Sequence, residues 1–139
     1  MFRSILVPVD FTDKNREALR LAQELALPGR GRITLLHVIE RIEHLPIEDL
    51  TGFYEKLENS AAEGMRSLTQ GSGEHPLVDR QEILYGKRAE EIVRFAEEHG
   101  SDLIVLSSHR VDPHRPGRWW SAVSHEVAVR AQCPVLLVK

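Results

Sequence analysis

The sequence predicts an α/β protein: one doubly wound, five-stranded parallel sheet. Apolar runs of strand length recur along the chain, each followed by a segment with helical period, which is the alternation βαβ units produce. Most of these runs are solidly apolar, as in strands buried on both faces. At 139 residues the chain fits a single domain, 1–139, large enough to bury roughly two thirds of its unfolded surface. No repeat or low-complexity tract interrupts it.

The first strand is expected from Ser4 to Val9, followed by Asp10. Thr12 or Asp13 can cap a helix to about Leu27, with Ala18, Leu21, Ala22 and Leu25 inward, and "LPGRG" stops it. Arg32 to Glu40 reads as the second strand. A polar connection containing Pro46 leads to a helix from about Leu50 to Leu68, carrying Phe53, Leu57, Ala61, Met65 and Leu68, with Gly64 a local weakness. "LVDRQEILYG" alternates, the pattern of a strand near the sheet edge. Ala89, Ile92, Val93 and Ala96 mark the next helix, closed by Gly100, and Asp102 to Ser107 the fourth strand. The last helix is expected from about Ser121 to Ala131, with Val123 and Val127 inward and the Arg130 stem as a further candidate. "CPVLLVK" is the final strand, and right-handed crossovers make the whole a compact doubly wound sheet.

Composition narrows the function classes. A hydrophobic content of 42%, a charged content of 28% and a net charge of −3 are ordinary for a globular chain and give no global attraction to nucleic acid or anionic membrane. One cysteine, Cys133, allows no intrachain disulfide. The apolar start "MFRSILVPVD" ends in Asp10 without a small-residue cleavage site, and no run approaches a transmembrane length. The expectation is a cytoplasmic protein without membrane association.

The loop between the fourth strand and the last helix stands out. In "LIVLSSHRVDPHRPGRWWSAVSHEV" it carries Arg110, Arg115 and Arg118, His109 and His114, and the pair Trp119-Trp120. Loops at such positions are where open α/β sheets bind ligands.

Four segments, "ILVPVDFTDKNREALRLAQELA", "ITLLHVIE", "GKRAEEIVRFAEEHGSDLIVLSSH" and "SAVSHEVAVRAQCPVLLVK", resemble the universal stress protein family in order and spacing over nearly the whole chain. The resemblance implies the adenine nucleotide alpha hydrolase-like variant of the predicted fold. It also implies a homodimer paired through the C-terminal strand, here Val135, Leu136, Leu137 and Val138, and a role in stress physiology rather than metabolic catalysis. The family divides into members that bind ATP or a related adenine nucleotide and members that do not, and the binders carry G-x2-G-x9-G-(S/T) between the fourth strand and the last helix.

Mapped onto this chain, Ser107 and Arg110 stand for the first two glycines, Ser121 for the third and Ala122 for the hydroxyl residue, with ten residues instead of nine between Arg110 and Ser121. The standard motif is absent. Glycine lets backbone N–H groups approach phosphate with positive φ and no Cβ in the way, so the usual cradle is not expected here. The N-terminus of the last helix still attracts an anion, and Arg110, Arg115 and Arg118 with His109 and His114 could supply donors in its place. The plainer account of the arginines is solvated loop charge, with Asp112 as partner.

The adenosine half of the family site is better kept. Asp10, after Pro8 and Val9, matches the position that contacts the nucleotide, and Val38 the position whose backbone meets adenine; the helix-start residue Val123 completes the implied set. Local chemistry alone also fits Asp10 as a turn or capping residue. The leading expectation is a regulatory binding protein outside the standard ATP-binding class, with no certain cofactor. The alternative is an ATP or AMP sensor whose phosphates meet the loop arginines and the last helix.

Other chemistry is weaker. His109, His114 and His125 are spaced by five and eleven residues, unlike the tight pairs of zinc sites, so no metal is expected. His37 reads as a hydrogen-bonded sheet-end histidine. Ser107-Ser108-His109 has no nucleophile elbow, and beyond Asp10 nothing suggests a positioned water or general base, so no catalytic residue is assigned. Cys133 reads as packing rather than a reactive thiol. Trp119 and Trp120 either cover apolar surface or meet a partner. An unidentified protein partner fits a regulatory role, whereas three loop arginines give little affinity for nucleic acid.

Overall fold

The computed structural model describes residues 1–41, 47–70, 77–108, 114 and 123–139. Its elements alternate as expected: β1 (Ser4–Pro8), α1 (Lys14–Leu25), β2 (Arg32–Ile39), α2 (Ile47–Gln70), β3 (Val78–Tyr85), α3 (Arg88–Glu98), β4 (Leu103–Ser107), α4 (Val123–Arg130) and β5 (Val135–Val138). The sheet runs β3-β2-β1-β4-β5, and every neighbouring pair is parallel. The alternating strand does lie at an edge, as its pattern predicts.

Two apolar layers hold the sheet. Ile5, Val7, Ile33, Leu35 and Val105 pack against Ala18, Leu19 and Ala22 of α1 and Met65 and Leu68 of α2. On the opposite face Leu6, Leu36, Ile104 and Leu106 meet Ala89, Ile92, Phe95 and Ala96 of α3 and Val127 of α4. Period-two alternation sends consecutive residues of a central strand into opposite layers, so both must be apolar. Full burial of a side chain such as Ile104 contributes roughly 1.5–3 kcal/mol. At the amino ends of β1 and β4, the Asp102 carboxylate accepts the N–H groups of Arg3 (2.9 Å) and Ser4 (3.0 Å), clamping the central pair.

Four expectations are corrected. The buried stripe of α1 is Asn15, Ala18, Leu19 and Ala22, while Leu21 and Leu25 are half-buried, because a polar residue, Asn15, belongs to the inward face. Asp13 stands at the N-cap of α1 without a side-chain hydrogen bond, since the nearby amides are satisfied by Asp10 and Asn15 instead. In α2, which begins directly after Pro46 in the sequence, Phe53 points outward at 44% exposure while Leu50 is buried. The Arg130 stem likewise lies exposed.

Candidate functional site

β1 and β4 lie side by side where the strand order reverses, and the crevice beyond the carboxyl ends of such strands is where open α/β sheets take ligands. A cleft of about 220 Å³ opens there. Pro8, Val9 and Asp10 form one wall, Leu36 and Val38 of β2 another, and Ser107, Ser108, Val123 and Ser124 the third, with Arg88 and Ile92 of α3 closing the side. Pockets for drug-sized ligands are roughly 300–1,000 Å³, so this one suits a small occupant.

Asn15 organises the cleft from behind. Its side chain is buried, its Oδ1 accepts the N–H groups of Asp10 (2.9 Å) and Phe11 (2.7 Å), and its Nδ2 donates to Ser107 Oγ (3.0 Å). The turn after β1 is thereby tied to the end of β4. Ser108, also buried, shares a hydrogen bond of 3.1 Å with Ser124 Oγ, and Lys14 Nζ donates to the Ser108 carbonyl at 3.1 Å. The first described turn of α4 is therefore anchored to β4 through a hydroxyl pair.

Asp10 is the turn residue its local chemistry allowed, and it also faces the cleft. It is exposed and lines the cleft, while Oδ1 accepts the N–H (3.1 Å) and hydroxyl (2.7 Å) of Thr12. Burial works against its charge, but hydrogen bonds from the Thr12 hydroxyl and amide and from Asn15 outweigh it and hold the carboxyl below its usual pKa. A carboxylate kept ionised in this way is an acceptor for ligand hydroxyls. His37 meets its expectation: its Nδ1–H donates to the Val9 carbonyl at 2.8 Å. Cys133 is half-buried against the α3–α4 layer, and burial pushes its thiol pKa up, the reverse of an activated nucleophile.

Of the expected nucleotide residues, the structure brings Pro8, Val9, Asp10, Val38, Ser107 and Val123 into one cleft. His109, Arg110, Arg115, Arg118, Trp119, Trp120, Ser121 and Ala122 lie outside the described residues. Asn15, Arg88, Ser108 and Ser124 were missed. Asn15 alone left a signal, a polar residue three and four positions before Ala18 and Leu19 on an apolar stripe.

A three-layer α/β domain with a small polar-and-apolar cleft at its switch point defines a class of ligand-binding proteins. This chain belongs to the universal stress protein family, whose model matches residues 1–139. Universal stress protein YxiE of Bacillus subtilis (strain 168) is 31% identical, with all of both chains covered. The solved structure of universal stress protein UspA from Lactobacillus plantarum is 27% identical, with 98% of this chain and 97% of that one covered at a TM-score of 0.79. A universal stress protein described in complex with cAMP is 18% identical, covers 99% and 97%, and reaches a TM-score of 0.70, a likeness of fold.

Proposed function

We propose that this universal stress protein is a cytoplasmic regulatory module without catalytic turnover, and that its switch-point cleft takes an adenine nucleotide, a monophosphate such as AMP in preference to ATP. The observation that carries the reading is the convergence of Pro8, Val9, Asp10, Val38, Ser107 and Val123 on one open cleft despite the absence of the phosphate-loop glycines. The apolar Leu36, Val38 and Ile92 suit a base, and the ionised Asp10 suits ribose hydroxyls. One phosphate can be met by the amino end of α4 and by arginines of the loop from 109 to 122, whereas a triphosphate needs the missing backbone cradle. The cAMP held by the distant fold relative belongs to the same ligand class.

Calorimetric titration with AMP, cAMP, ADP and ATP tests this. Saturable heat with AMP is expected at millimolar concentration or below, with ATP weaker and Asp10→Ala reducing AMP affinity at least about tenfold, the loss of a charge-assisted hydrogen bond. No heat with any of the four overturns nucleotide binding. Phosphate release from ATP above a buffer blank overturns the absence of turnover.

A further inference from the structure

We infer that Phe11 is a positioning residue for the Asp10 wall of the cleft, locked in place by its seat on α2 at Gly64. Phe11 is the one non-glycine residue with positive φ (65°) among the described residues. An aromatic side chain holds such a conformation only where its surroundings over-determine it, and here three elements do. Its N–H donates to Asn15 Oδ1 on α1 at 2.7 Å. Its ring lies 4.6 Å from the His37 ring on β2, and His37 in turn holds the Val9 carbonyl. On the third side it meets α2, where a Cβ placed on Gly64 would stand 2.4–2.7 Å from three atoms of the Phe11 ring, closer than atoms can pack.

The mid-helix glycine therefore has a reason: it lets α2 approach the ring. Phe11 belongs to the layer packed by α1 and α2, whereas Leu36, Val38, Ile92 and Leu106 of the cleft belong to the opposite layer. The turn Val9–Phe11 thus passes from the cleft to α2 around the carboxyl end of the sheet. Displacing the ring moves the residue directly after Asp10, so the seat of α2 sets the position of the carboxylate. The effect on ligand affinity rests on the nucleotide reading of the cleft; the interlock itself does not.

Three variants and one control test it: Gly64→Ala, Phe11→Ala, the double variant, and Leu68→Ala, which removes buried side-chain volume elsewhere on α2. Alanine is the better helix former, so helix propensity alone predicts that Gly64→Ala raises the thermal midpoint. The interlock predicts a lowered midpoint in the parent and a raised one in the Phe11→Ala background, a reversal of sign that measures coupling. Amide resonances of Asp10 and Phe11 are expected to shift in Gly64→Ala and to stay in place in Leu68→Ala. AMP affinity is expected to fall several-fold in Gly64→Ala, and by less in Leu68→Ala. A raised midpoint in the parent, or unmoved Asp10 and Phe11 amides, overturns the inference. Should Gly64→Ala fail to fold, Phe11→Gly, which removes ring and strain together, is expected to speed hydrogen exchange at the Asp10 and Phe11 amides; unchanged exchange overturns the inference. If the parent binds no AMP, the nucleotide reading fails while the sign reversal and amide shifts still decide the interlock.

Discussion

Asn15 sits on the face of α1 that otherwise buries Ala18, Leu19 and Ala22, and its amide group serves three partners, two in the turn after β1 and one at the end of β4. Removing it strands two backbone N–H groups beside the cleft and leaves a void. Asn15→Ala is therefore expected to lose about 2–4 kcal/mol in urea unfolding, since each unsatisfied buried group costs about 1–3 kcal/mol. A loss within 0.5 kcal/mol, the ordinary range for a surface substitution, would refute that role. Half of the cleft was legible at this scale. Pro8, Val9, Asp10, Val38, Ser107 and Val123 sit at strand or helix ends that the pattern and family motif mark, whereas Arg88 and Ser124 enter because α3 and α4 fold over the same crevice. No spacing in the chain announces that proximity.

Among the elements, α2 shows how a helical pattern underdetermines a face. Ala61, Met65 and Leu68 point inward as their spacing predicts, but Phe53 turns out toward solvent and rests edge-on at 5.8 Å from Tyr54. Tyr54 continues the contact to Tyr85 at 5.7 Å, and the Tyr85 hydroxyl donates to the Glu58 carboxylate, tying α2 to the edge strand β3. Burial, then the Glu58 hydrogen bond and charge, push the Tyr85 phenol up to about 12, against the pull of Arg41 5.7 Å from its ring centroid. A raised phenol favours its neutral form in the fold, so this contribution is whole below pH about 10 and is lost as pH climbs from about 10 to 12. In Tyr54→Phe protein, phenolate absorbance should report a midpoint near 12, falling toward 10 when Glu58→Gln is added. A midpoint already near 10 in Tyr54→Phe would mean that the tie is not formed.

For the whole molecule, the two sheet edges differ in kind. β3 presents Asp79, Arg80, Gln81 and Glu82 along its first half, and charged edges discourage pairing. β5 presents Val135, Leu136, Leu137 and Val138, with Leu136 at 36% exposure. We propose that β5 pairs with its copy about a two-fold axis, which would cover the apolar edge. Light scattering after size exclusion is expected to give a dimer for the parent and a monomer for Leu136→Lys. A monomeric parent would refute the pairing. Among the described residues, no helix is long and apolar enough to cross a membrane.

The division between sequence and tertiary structure follows from the range of the forces involved. Apolar periodicity is local, so the chain by itself determined the order of strands and helices, the edge character of β3 and the position of Asp10 at a strand end. Which side chains face one another across the crevice depends on contacts between residues far apart in the chain, such as Asn15 with Ser107 and Phe11 with Gly64. Only packing decides those, because a polar residue on an apolar stripe or a glycine in a helix reads as a defect until its partner is in place.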